Sequence, residues 1–166
     1  MNGSKKIIID LTKSLANVGV PQRFTGDFVL DGNLLPYPNA TLTKILVDCD
    51  VTFTKPNVEV CGNLTCVIEG SCDKCLCEVS KQIVLPFAQT FIKDGVGEDE
   101  YVYSGSKLDA TKAVEDEIIL SLPTLLLCKD DCKGLCPKCG TNLNVSQCDC
   151  DLEKGNVFSQ LKNLKF

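Results

Sequence analysis

The chain of 166 residues contains no histidine. That removes the commonest general base and the commonest nitrogen ligand for metals. Its only arginine is Arg23, and its formal net charge is −5. A domain that grips nucleic-acid backbone unaided carries a basic patch, and none is evident here. No stretch approaches the ~20 apolar residues needed to span a bilayer. Near the start, Lys5 and Lys6 precede only Ile7-Ile8-Ile9, too short for the apolar run of a secretion signal. The chain also lacks a Gly-rich phosphate cradle, and no Ser or Cys nucleophile has a matching base. These absences disfavour broad nucleic-acid binding, membrane insertion, and phosphoryl- or acyl-transfer chemistry.

Cysteine, by contrast, is abundant, with 12 residues. Six disulfides in a secreted scaffold are one way to use twelve thiols. The chain is longer than most such scaffolds, and its cysteines fall in close pairs. Cys72-x-x-Cys75, Cys136-x-x-Cys139 and Cys148-x-Cys150 suit metal chelation. The spacing therefore predicts a reducing, cytoplasmic setting. Hydrophobic residues make up 44% of the chain, enough for a real core. The length suits one domain, or one with a small appendage.

Residues 41–92 read as antiparallel β-structure. Val47, Cys49, Val51 and Phe53 alternate with Asp48, Asp50 and Thr52. Lys55-Pro56-Asn57 makes a turn. Val58, Val60, Leu64, Cys66 and Ile68 keep one parity, with Gly62 as an expected bulge. Gly70 to Cys75 makes a second turn. Val79, Ile83, Leu85, Phe87 and Phe91 mark a third strand, in which Pro86 predicts an edge or a bulge. Ile7-Ile8-Ile9 suits a short strand, and Asp31-Gly32-Asn33 a turn. Residues 94–107 are acidic and read as a solvated loop. A helix is predicted over about 109–122, capped by Asp109 and ended by Pro123. Ala110, Ala113, Val114, Ile118 and Leu122 form its apolar face. A short amphipathic helix is expected from Asn156 through Val157, Phe158, Leu161 and Leu164.

The strongest chemical signal is Cys136-Pro137-Lys138-Cys139-Gly140. In a Cys-Pro-x-Cys-Gly knuckle both thiolates face one metal, and the turn amides donate to the sulfurs. Cys148 and Cys150 supply a second pair, completing a four-cysteine site. Cys72, Cys75, Cys128 and Cys132 can form another if the helix packs back on the sheet. A competing partition joins Cys132 to Cys136 and Cys139, with Cys148 or Cys150. Cys49 and Cys66 read as small buried apolar residues. Cys61 and Cys77 have no assigned role.

Other chemistries fare worse. A redox Cys-x-x-Cys normally opens a helix, but Leu76 to Leu85 reads as strand. A catalytic zinc needs an open coordination position and a base, and an all-thiolate set offers neither. This disfavours a metal-dependent nuclease. Glu115-Asp116-Glu117 point in different directions on a helix, so a solvated face is expected rather than an acid–base dyad. Filling both sites would move the formal charge from −5 to about −9.

Three blocks resemble the YceD-type proteins of bacteria and plastids, which are tied to accumulation of large-subunit ribosomal RNA. Cys72-Asp73-Lys74-Cys75-Leu76 is similar to the family's Cys-x-Arg-Cys-Leu turn. Val114 to Pro123 resembles its acidic-apolar helix. Asn156 to Leu164 resembles its Asn-Pro-Phe-Ala-x-Leu-x-x-Leu tail. The stretch from Leu127 through Cys136 to Leu143-Asn144 and Cys150 resembles the cysteine-rich insert of Gram-positive members. Lys74 stands where the family has Arg, and Val157 where it has Pro. Lys keeps the charge but loses the forked donor.

The resemblance implies a non-enzymatic ribosome-biogenesis factor, with ribosomal RNA or a ribosome-assembly protein as partner. It favours Cys72, Cys75, Cys128 and Cys132 as one structural zinc site and Cys136, Cys139, Cys148 and Cys150 as an added one. Lys74, Glu115, Asp116, Glu117 and Phe158 are the candidate partner-binding residues. A zinc- or redox-responsive adaptor is the alternative. The expected fold is α+β: an antiparallel sheet, barrel- or sandwich-like, with one main helix and a zinc-ribbon-like C-terminal element. Residues 1–127 would form the β domain and 128–166 the cysteine-rich element with its tail helix, packed on the same domain.

Overall fold

The computed structural model describes residues 6–29, 35–95 and 100–150. In chain order the elements are β1 (Ile8–Asp10), α1 (Thr12–Ala16), β2 (Gln22–Phe28), β3 (Ala40–Thr54), β4 (Asn57–Ser71), β5 (Glu78–Lys93), β6 (Val102–Tyr103), β7 (Lys107–Asp109) and α2 (Thr111–Ser121). The expected tail helix, with Phe158, and the turn at Asp31-Gly32-Asn33 lie outside the described residues.

β3, β4 and β5 carry the architecture. Their side chains alternate across the sheet because a strand repeats every two residues. Ile45, Val47, Cys49, Val51 and Phe53 are buried on β3, and Val58, Val60, Leu64, Cys66 and Ile68 on β4. Leu85, Phe87 and Phe91 continue that layer on β5. Each such large side chain contributes up to about 1.5–3 kcal/mol on leaving water. All three strands are antiparallel in turn, and the five-stranded sheet runs β2-β3-β4-β5-β6. β1 and β7 form a separate two-stranded sheet that adds Ile9 and Leu108 to the core.

The sheet does not close into a barrel. β6 pairs with β5 only at Ile92 and Lys93, in the parallel sense, so most of β5 remains an edge. Pro86 sits there, where its missing N–H leaves no ladder bond unmade. Its register with Asn63 is unbroken, so the edge reading holds and the bulge reading does not. Gly62 makes no bulge either. It pairs in register with Cys49 and Phe87, and a Cβ there would lie 2.2 Å from the Asp48 carbonyl oxygen. Glycine at this position permits a close approach of two backbones. The one register shift in the β3–β4 ladder falls at Leu42/Lys44.

α2 buries Ala113, Val114 and Ile118, with Ala110 and Leu122 at its ends. It packs against β5. Its N-cap is Ala110, not Asp109, because Asp109 still belongs to β7 and pairs with Ile8. The Asp109 carboxylate nevertheless accepts the Thr111 N–H at 3.0 Å, so a free helical donor is satisfied from one residue further out. The predicted acidic loop holds more order than its composition suggests, since β6 and the start of β7 fall within it. Tyr103 of β6 donates to the Pro56 carbonyl at 2.6 Å, tying it to the β3–β4 turn. Among the described residues no helix is long and apolar enough to cross a membrane.

Candidate metal centres

The six residues from Cys72 to Cys77 link β4 to β5. The Cys72 N–H donates to the Cys77 carbonyl at 2.9 Å, and the Leu76 N–H donates to the Cys72 carbonyl at 2.9 Å. Residues 136–141 repeat this pattern. The Cys136 N–H donates to the Thr141 carbonyl at 2.8 Å, and the Gly140 N–H donates to the Cys136 carbonyl at 2.9 Å. In both turns the residue after the second cysteine is left-handed, Leu76 at φ 59 and Gly140 at φ 72. Glycine adopts this conformation freely, whereas leucine does so at a cost. The chain therefore contains two knuckles of one geometry, and only the second is obvious from its sequence.

The other two cysteines of the first cluster, Cys128 and Cys132, arrive after α2. The Tyr37 hydroxyl donates to the Pro123 carbonyl. The Asp73 N–H donates to the Leu126 carbonyl at 2.9 Å, and the Asp73 carboxylate accepts the Leu126 N–H at 2.6 Å. This reciprocal clamp seats the segment before Cys128 on the first knuckle. Cys72 Sγ then lies 3.8 Å from Cys132 Sγ, and Cys75 Sγ 3.6 Å from Cys128 Sγ. A tetrahedral ion with ~2.3 Å metal–sulfur bonds needs sulfurs about 3.8 Å apart. The sulfurs of Cys72, Cys75, Cys128 and Cys132 all lie within 4.8 Å of one another, as do those of Cys136, Cys139, Cys148 and Cys150. The competing partition, with Cys132 in the second set, is not the one formed. All twelve cysteines are free thiols.

The clusters touch. The Leu135 N–H donates to the Lys74 carbonyl at 3.1 Å, and Gly134, at φ +75, faces the same oxygen. Asn144 spans the joint: its amide nitrogen reaches Cys132 Sγ at 3.4 Å, and its oxygen accepts the Lys133 N–H at 2.9 Å. Such outer contacts orient ligands and tune a metal. Asp73 and Asn144 were not singled out from sequence, although each lies inside a cysteine motif.

The electrostatics match a site built for a cation. Burial opposes ionisation of Cys72, but hydrogen bonds from the backbones of Cys128, Cys75 and Lys74 outweigh it and bring the thiol down to about 6. The Thr141 hydroxyl and backbone bring Cys139 down to about 6. Cys75 and Cys136 are also lowered, first by the Cys77 thiol and by the Cys139 backbone respectively. Burial and the neighbouring thiols push Cys128 up, and Cys139 with burial pushes Cys150 up to about 12. Each knuckle thus favours thiolates, whereas Cys128, Cys148 and Cys150 resist adding more negative charge. A bound dication removes that conflict. The all-sulfur donor set selects a soft, thiophilic ion over calcium or magnesium.

The remaining assignments fall out differently. Burial pushes Cys49 up to about 12 and Cys66 up to about 11, as expected of inert core thiols. Lys74 is exposed where the two clusters meet. Glu115, Asp116 and Glu117 are half-buried on α2. Asp116 accepts the Tyr101 hydroxyl at 2.9 Å and Glu117 accepts the Ser121 hydroxyl, so two of the three have intramolecular partners. Cys61 is exposed on β4. Cys77 is exposed but lies 3.1 Å, sulfur to sulfur, from Cys75.

Residues 60–165 match the family model described as large ribosomal RNA subunit accumulation protein YceD. The chain is similar to a chloroplastic YCED homolog 1 of that description from Arabidopsis thaliana, with 24% identity over 78% of this chain and 50% of the relative. A Zea mays protein of the same description is 24% identical over 74% of this chain and 54% of the relative. An uncharacterized protein of Mycobacterium leprae is 30% identical over 61% of this chain and 50% of the relative. The chain thus spans about half the length of these curated relatives. No solved structure matches it.

Proposed function

Since the chain belongs to the YceD family, we propose that it is a non-enzymatic ribosome-biogenesis factor promoting accumulation or processing of large-subunit ribosomal RNA. The observation that carries this reading is the family match over residues 60–165, which includes all eight clustered cysteines. Zinc is the ion we assign to both clusters. Four thiolates close the coordination sphere and leave no position for substrate or water, which suits structure rather than catalysis. The metals would hold segments with too little apolar core to order themselves.

The reducing environment that zinc thiolates need suits a cytoplasmic protein. Its negative charge directs the search for partners toward a ribosome-assembly protein or a local, shaped RNA feature. Binding to generic RNA would be weak and would fall with salt. The proximity of Cys77 to Cys75 favours a second reading, a redox-responsive adaptor with the same metal centres.

The test is depletion in the source cell, scored as the ratio of large- to small-subunit ribosomal RNA. The ratio is expected to fall and to recover with the intact chain, but not with a Cys72→Ser chain. An unchanged ratio sinks the proposal.

A further inference from the structure

The first cluster has a sulfur to spare. Cys77 belongs to neither set of four, yet its Sγ lies 3.1 Å from Cys75 Sγ. That is closer than the 3.6 and 3.8 Å separations among the ligands themselves. The backbone explains the proximity. In an extended strand, residues i and i+2 stand about 6.7 Å apart, near the outer limit for a disulfide. Leu76 between them is left-handed at φ 59, which folds the chain back and brings the two side chains together. The residues also differ in access: Cys75 is buried, whereas Cys77 is exposed. Reagents in solution therefore meet Cys77 first.

We propose that Cys77 is a thiol–disulfide exchange site, which reacts with a low-molecular-weight disulfide and passes the oxidation to the metal ligand Cys75. Cys77 Sγ attacks one sulfur of R–S–S–R, its proton goes to solvent, and one R–S⁻ leaves. Cys75 Sγ then attacks Cys77 Sγ. The Cys75–Cys77 bond forms and the second R–S⁻ leaves, so Cys75 would no longer be available to hold a metal. The two cysteine sulfurs have lost one electron each, and the reagent has become two thiols. With three thiols left, the cluster would release a bound metal. That release rests on the two-centre reading above; the disulfide itself does not.

The experiment treats the zinc-loaded full chain with glutathione disulfide, follows zinc with a chromophoric chelator and maps the tryptic peptides. Cleavage after Lys74 and Lys81 yields peptide 75–81, which carries both sulfurs. We expect it to lose two hydrogen masses as zinc leaves. A Cys77→Ser chain should release zinc from this cluster at least about tenfold more slowly, and a Cys61→Ser chain at the unmodified rate. The proposal is overturned if peptide 75–81 keeps both thiols, if Cys77 stops at the mixed disulfide, or if Cys77→Ser releases zinc at the unmodified rate. Metal content measured before oxidation reports on the two-centre reading alone. A metal-free chain that still forms the Cys75–Cys77 bond supports the exchange site and sinks that reading.

Discussion

Cys72 and Cys132 are 60 positions apart, whereas the second cluster occupies only positions 136 to 150. Both use the same knuckle, closed by the same two backbone hydrogen bonds. Loop-closure entropy separates the two cross-links by only about 1 kcal/mol, because it grows with the logarithm of loop length. Burial and position separate them further. Cys72, Cys75 and Cys132 are buried in the first cluster, but only Cys136 in the second. The first cluster joins the β4–β5 turn to the segment after α2, so it links distant parts of the core. The second organises its own loop, and its one β-bridge, Leu135 with Asn142, is internal. A local element of this kind can open without the sheet.

The comparison is broken most directly at the cysteines. Cys72→Ser should remove one of the two zincs proposed above, by elemental analysis, and cost about 4 kcal/mol, a fall of about 10 °C in melting temperature. Cys139→Ser should also remove one zinc, yet lower the main melting transition by no more than about 3 °C. Equal falls would mean that the two clusters form one cooperative unit. At the joint, Gly134→Ala places a Cβ 3.1 Å from the Lys74 carbonyl oxygen at a residue with φ +75. It should cost about 1–2 kcal/mol and expose amides 134–145 to hydrogen exchange before those of the sheet; uniform protection would refute local opening of the second cluster. The smallest effect concerns the knuckles themselves. Leu76→Gly should relieve left-handed strain but loosen the unfolded chain, a net gain within about 0.5 kcal/mol. Gly140→Ala, in open space, should lose about 1 kcal/mol. Denaturant midpoints of the two variants decide this, and a clear loss from Leu76→Gly would show that its exposed side chain packs on something.

The long strands were legible because alternation on β3 and β4 is strict. Val47 to Phe53 and Val58 to Ile68 carry the period of two almost unbroken. α2 was legible from Ala113, Val114 and Ile118, although its cap was not, since Asp109 is claimed by a ladder to β1 that the local sequence does not announce. α1 and β2 were missed. β2 has only half-buried apolar positions, Phe24 and Phe28, and its pairing with β3 is long-range. Gly62 looked like a defect in β4 because a glycine in a strand signals either a bulge or a close approach, and only the facing strand distinguishes them.

The sequence by itself determined that eight cysteines come in four short-range pairs, because ligand spacing within a knuckle is a property of a few consecutive residues. It also determined the family, through blocks that survive in order along the chain. Tertiary structure decided which pairs meet. Whether Cys128 and Cys132 join Cys72 and Cys75 depends on α2 packing against β5 and on the Asp73–Leu126 clamp, between residues 53 positions apart. Tertiary structure also decided that Cys77 lies beside Cys75, since the left-handed turn at Leu76 is imposed by hydrogen bonds of the folded knuckle and not by any preference of leucine.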